Sequence, residues 1–278
     1  MMCAPPAPEI LLHFKETNQI YVTLLVSIWE LGEACGPLLI APLSETYGRL
    51  PIYHTTSILF VVFSICCALS SNLNMLVAFR FLNGMTVAAI TLNPSVVGDM
   101  FAQEERGGVL SMMMAPQLLS SLVAPVIGGY VGQFLGWRWV FWLAAIAEGI
   151  CELAFIFFFR ESYKVSILEK KASRLRKQNK DPLYQSIYAS TSGASTSRLL
   201  LQALIRPIKM LIFSPIVLFI SVYVAVVYGY AYLIMTTITT IFQEIYGFSE
   251  GTVGLMFIGQ GEFVTYSNST TMADIDVI

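Results

Sequence analysis

The chain has 278 residues, 56% of them hydrophobic and 12% charged, with a mean hydropathy of +0.68. Soluble domains carry about 25% charged residues, so the composition excludes an ordinary soluble domain and points to lipid as the surrounding solvent. The net charge of −2 says little about partners, because the charges are segregated along the chain; nucleic acid is not among the expected ones.

A membrane-crossing helix needs about 20 mostly apolar residues. Met1–Glu16 has neither the basic start nor the apolar core of a cleavable signal peptide. The first span reads Ile20–Ala41. It runs into the link GPLLIAPLSETYGRLP, Gly36 to Pro51, which sets Glu45, Gly48 and Arg49 in a tight charged turn before the second span, Ile52–Ser70. Met75–Val97, Leu110–Phe134 and Trp139–Phe159 follow, joined by short links. A long polar stretch from Arg160 to Pro207 precedes the sixth span, Met210–Phe242, and Gly251–Tyr266 is a short, partial seventh. The fold class is therefore an all-α integral membrane bundle.

Lys and Arg in short flanking loops set orientation. Of the sixteen, eleven fall between Arg160 and Lys209, which makes that stretch cytoplasmic. Counting spans back from it puts Glu45–Arg49 and Asp99–Gly107 inside as well, and leaves only Lys15 and Arg138 outside. The N-terminus then faces outward without a signal peptide, which points to a helix before residue 10. Ser166–Lys180 (SILEKKASRLRKQNK) reads either as a basic amphipathic helix on the inner leaflet or as a solvated linker. Ser190–Ser197 (STSGASTS) reads as a flexible, low-complexity segment.

Several polar residues stand out against this apolar background. Glu45 and Arg49 are four apart, close enough to pair on one helical turn, and Asp99 ends another span within reach of them; the alternative is that Arg49 merely anchors topology. Arg80 lies inside a span, where a charge is costly unless paired or wet, or else snorkels to the outer headgroups. Glu30 and Glu33 share one face of the first span, and Glu148 and Glu152 one face of the fifth. Buried carboxylates carry protons near neutral pH, so these four are proton- or substrate-coupling candidates; the other reading is a polar contact between helices. Pro125, Gly128 and Gly129 form a kink motif that allows close helix approach. Tyr223, Tyr228, Tyr230 and Tyr232 crowd the sixth span as cavity aromatics or as packing ones. Asn268-Ser-Thr is a glycosylation sequon. The five cysteines show no metal-ligand spacing, and no cofactor is expected. No phosphate-binding Gly-rich loop and no nucleophile–base pairing is found, so neither ATP-driven transport nor an enzyme is expected.

Four stretches in order resemble one family. APLSETYGR (Ala41 to Arg49) resembles the signature loop between the second and third helices of the major facilitator superfamily, with Ala41 for the usual Gly and Glu45 for the usual Asp. RFLNG (Arg80 to Gly84) is similar to its fourth-helix motif, APVIGGY (Ala124 to Tyr130) to its fifth-helix antiporter motif, and RESY (Arg160 to Tyr163) to the end of its sixth helix. More narrowly, the chain resembles the fungal twelve-helix drug:proton antiporters. The resemblance implies two six-helix bundles with alternating access. Residues 20–159 are then the first bundle without its first helix, after an outer segment 1–19. Residues 160–209 are a cytoplasmic linker, 210–266 the start of the second bundle and 267–278 a polar tail, so the match is truncated at both ends. It implies a charge latch at Glu45, Gly48, Arg49 and Asp99, coupling through Arg80, and a sealing contact at Pro125, Gly128 and Gly129. The expected function is proton-coupled efflux of a small organic compound, a drug or secondary metabolite, across the plasma membrane. The rivals are a non-transporting remnant of such a protein and an independent helical membrane partner or receptor.

Overall fold

The computed structural model describes residues 2–15, 20–159, 161, 163–179, 187, 205–207, 209–249 and 251–256. All regular structure among them is helical: α1 (Ala7–Phe14), α2 (Ile20–Tyr47), α3 (Arg49–Ala68), α4 (Leu73–Val87), a 3₁₀ stretch (Ala88–Leu92), α5 (Asn93–Met100), α6 (Arg106–Leu135), α7 (Trp137–Phe158), α8 (Lys164–Asn179) and α9 (Pro215–Glu244). Residues 205–207, 209–213 and 251–256 are helical as well. Asn268 and the tail lie outside the described residues.

Among the described residues five helical stretches are long and apolar enough to cross a membrane: Thr23–Glu45, Arg49–Ala68, Leu73–Met100, Trp137–Phe158 and Pro215–Ile234. The expected span Leu110–Phe134 lies within α6, a helix of 30 residues, whose apolar part among the described residues is the shorter Val123–Leu135. Of the partial seventh run, only 251–256 falls among the described residues.

Burial follows the logic of a bundle in lipid. Ser44, Thr56, Ser64, Arg80, Asn83 and Glu152 are buried, whereas Ile150, Leu153, Phe157 and Phe158 of α7 lie exposed, the last two at 82% and 87%. Water would penalise such an outward face, and hydrocarbon accepts it. Backbone polar groups have no water to turn to in lipid, so the spans are helices even across Pro37 and Pro42 of α2 and Pro116 and Pro125 of α6.

The third span is one apolar block in sequence but not one regular helix. Pro94 lacks an N–H and its ring crowds the carbonyl one turn earlier. The chain answers with the 3₁₀ stretch Ala88–Leu92 just before it. Gly48 (φ 98°) and Gly136 (φ 87°) adopt backbone that side-chain-bearing residues avoid, and each breaks the chain sharply into the next helix.

Helix α2 is the hub. Its Gly32 meets α4 so closely that a Cβ there would land on the carbonyl oxygen of Phe81, and one on Gly84 would land on the carbonyl oxygen of Trp29. Small residues at a crossing let two backbones approach and gain dispersion contact where lipid offers no hydrophobic drive. The main core joins Leu25, Cys67, Leu73, Leu76, Trp137, Val140 and Phe141 with Ile10 and Leu11 of α1. At that end Arg138 ties several elements together: its guanidinium meets His13 Nε2 at 3.3 Å, donates to the Ser70 carbonyl at 3.3 Å and lies 4.4 Å from the Trp137 ring.

Candidate functional site

The polar residues gather at two levels. The first level is the end of the bundle where α3 begins. Gly48 turns the chain, and α3 opens with backbone N–H groups that have no partner inside the helix. Glu161, just beyond α7, supplies one. Its carboxylate accepts from the backbone N–H of Arg49 at 3.2 Å, of Leu50 at 3.3 Å and of Tyr163 at 3.0 Å. A carboxylate at a helix start also complements the helix dipole. Gly48 is required twice over here: by its φ of 98° and because a Cβ would stand 2.6 Å from Glu161 Oε2.

Arg49 is buried and its Nε donates to Asp99 Oδ2 at 2.8 Å, while its guanidinium lies 5.4 Å from the Tyr163 ring centre. Burial, with the negative charges of Glu45 and Asp99 adding, pushes the Tyr163 hydroxyl above its usual range; Arg49 opposes the shift. Close by, Tyr53 donates to Asn93 Oδ1 at 2.7 Å, and Arg106 donates to the carbonyls of Gly98 at 2.9 Å and Phe101 at 3.2 Å, closing the end of α5. The cluster thus joins the ends of α3, α5 and α7. Glu45 lies exposed at the end of α2, and the ion pair of Arg49 among the described residues is with Asp99, not with Glu45. Sequence spacing favours the four-residue pair; the tertiary fold brings the residue fifty positions away instead.

The second level lies inside the spans. Glu30 and Glu33 are half-buried on α2, and Tyr232 of α9 lies beside them, with Tyr228 nearby. Tyr232 is half-buried there, whereas Tyr223, Tyr228 and Tyr230 are each at least 61% exposed. Arg80 of α4 is buried, its Nε has no hydrogen-bond partner, and its guanidinium sits 5.9 Å from the Phe141 ring centre. One turn on, Asn83 donates to Ser64 Oγ at 2.7 Å and pins α4 to α3.

Glu152 finds a partner that spacing does not reveal. His54 Nδ1 of α3 lies 2.6 Å from its Oε1, and the Phe155 ring packs edge-on to the imidazole. The Glu152 side chain is 8% exposed and that of His54 24%. Glu148, half-buried one turn earlier, stands outside this pair. The kink motif is a contact surface. A Cβ on Gly254 would stand 2.7 Å from the Pro125 carbonyl oxygen, one on Gly128 would land on the carbonyl of Met2, and Gly251 N–H donates to Gln133 Oε1 at 3.1 Å. Among the described residues no group of His, Cys, Asp and Glu is arranged to hold a metal ion.

Glu161 and Tyr163 are the residues that sequence reasoning leaves without a role. The signal available was the RESY stretch that holds them, but the partners of Glu161 are backbone amides, which no residue pattern displays.

The model of one family, the Major Facilitator Superfamily, matches residues 2–265. Among known proteins the chain is 42% identical over 261 residues to the efflux pump radE of Floropilus chiversii, covering 94% of this chain and 48% of that protein. It is 43% identical over 261 residues to the MFS-type transporter tndD of Aspergillus flavipes, covering 94% and 48%. It is 40% identical over 260 residues to the MFS-type transporter hepF of Aspergillus oryzae, covering 93% and 52%. The chain spans about half the length of the curated relatives it matches.

Proposed function

The chain belongs to the major facilitator superfamily, and from that premise we propose that it serves proton-coupled efflux of a small organic compound, a drug or secondary metabolite, across the plasma membrane. It is a multi-pass membrane protein of a transporter family, not an enzyme. The efflux reading draws on the relative named as an efflux pump. The observation that carries the coupling is the approach of Tyr232 of α9 to Glu30 and Glu33 of α2, within which Tyr232 donates to the Glu30 carboxylate.

In the proposed division, α2 to α7 form the first bundle, 160–209 the cytoplasmic linker, and α9 opens the second bundle. The Tyr232–Glu30 bond then crosses between bundles. Ionised Glu30 is a strong acceptor for the phenol, and a charge-assisted bond of this kind exceeds a neutral one about twofold. Protonation cancels the charge, weakens the bond and frees α9 to part from α2. A proton taken at Glu30, with Glu33 beside it, thus biases the bundles between two arrangements, as coupling requires. Arg80 acts in this scheme through its packing on Phe141. The cluster Gly48–Arg49–Asp99–Glu161 is the rigid cytoplasmic foot of the first bundle against which the second closes, with Glu45 at its margin. Of the Pro125, Gly128 and Gly129 motif, Pro125 offers a close-packed surface to Gly254 and Gly128 one to Met2.

The test is accumulation of rhodamine 6G in cells expressing this chain. Expression lowers steady-state dye relative to empty vector; equal accumulation contradicts the proposal and favours a chain that does not transport.

A further inference from the structure

We propose that α8 is a docking surface for the anionic headgroups of the cytoplasmic leaflet. The helix carries Lys164, Lys170, Lys171, Arg174, Arg176 and Lys177 against a single acid, Glu169. Its two faces differ. Val165, Leu168, Ala172 and Leu175 follow at steps of three, four and three, so they form one stripe. They lie half-buried or, at Ala172, buried with 6% exposure. That stripe is turned toward protein. Lys170, Lys171, Arg174 and Lys177 lie exposed on the other side.

Ile167 decides what kind of partner this side fits. It is 41% exposed and stands three, four and seven residues before Lys170, Lys171 and Arg174. Those spacings place it in the middle of the basic face. An exposed isoleucine ringed by cations suits a surface that is polyanionic outside and apolar just beneath, which is what an anionic leaflet offers. From Ile167 to Lys177 the face extends about 15 Å along the axis. That reach is too long for one small anion and requires an extended one.

The position of α8 supplies the membrane. Three residues before Lys164, the Glu161 carboxylate holds the start of α3, and Tyr163 lies against Arg49. The Ser166 hydroxyl oxygen stands 3.1 Å from where a Cβ on Gly48 would be. The first turn of α8 is therefore fixed at the level where the spans α3 and α7 end, which is headgroup depth.

The experiment uses the whole chain in nanodiscs of phosphatidylcholine, with and without phosphatidylserine, and reads amide hydrogen exchange across 165–178. Phosphatidylserine is expected to slow exchange there but not in α3, and high salt to abolish the difference. Each neutralisation among Lys170→Gln, Lys171→Gln and Arg174→Gln should lower the protection by roughly fivefold. Ile167→Ser should lower it with the charge intact. Equal exchange in both lipids overturns the proposal. So does equal protection in phosphatidylcholine discs by soluble polyglutamate, which would assign the face to an acidic protein segment instead. Because the lipid comparison uses the unaltered chain, a variant that fails to fold leaves the decision intact.

Discussion

Replacing Glu161 with Ala should loosen the start of α3 by an amount that can be worked from its contacts. The carboxylate accepts three backbone N–H groups, at 3.2, 3.3 and 3.0 Å. Loss of a side-chain cap costs about 1 kcal/mol, and loss of a negative charge at a helix start adds roughly 0.5 kcal/mol. Together these make about 1.5 kcal/mol, or roughly tenfold in a local opening equilibrium. Hydrogen exchange of the chain in detergent reads this directly: the Arg49 and Leu50 amides should lose roughly tenfold protection. Glu161→Gln keeps an acceptor without the charge and should fall between. Gly48→Ala puts a Cβ 2.6 Å from Glu161 Oε2 and displaces the same carboxylate. Adding Glu161→Ala to Gly48→Ala should therefore cost much less than it does alone, the mark of coupled residues. Unchanged protection in Glu161→Ala, or full additivity in the double variant, would refute the capping argument.

Other outcomes follow from the same geometry. Arg80→Ala should abolish dye efflux while leaving the chain folded, because it removes the buried cation packed on Phe141; full retained transport would refute a coupling role. His54→Ala strands the buried Glu152 carboxylate and should destabilise the chain by roughly 2 kcal/mol. Glu152→Leu added to it should recover much of that loss in a detergent melt, and no recovery would show that the pair does not set the cost. Gly84→Val drives a side chain into the Trp29 carbonyl and should lower melting stability by about 1–3 kcal/mol or more, whereas Gly149→Val, at a position with open space around its Cβ site, should leave it nearly unchanged.

The elements were legible in the sequence because hydrocarbon imposes a length on every span. The reading Trp139–Phe159 lies within two residues of α7 at each end. The boundary at Ala41 was too early, since Pro42 does not end α2 and the helix runs on to Tyr47. The site was legible in kind but not in pairing. Glu45 and Arg49 are neighbours by helical spacing, yet Arg49 takes Asp99, because burial against α5 outweighs an exposed pair worth about 0.5 kcal/mol. The His54–Glu152 and Tyr232–Glu30 partners sit on helices far apart in the chain. Their pairing depends on how α3 meets α7 and α9 meets α2, which no local pattern encodes. Among four crowded tyrosines, only the contact with α2 distinguishes Tyr232.

Coupling is tested most directly in proteoliposomes containing the chain, loaded with rhodamine 6G and exposed to an acidic exterior. The account predicts that the proton gradient accelerates dye efflux and that Glu30→Gln removes the acceleration. Efflux indifferent to the gradient, or equally accelerated in Glu30→Gln, would contradict it.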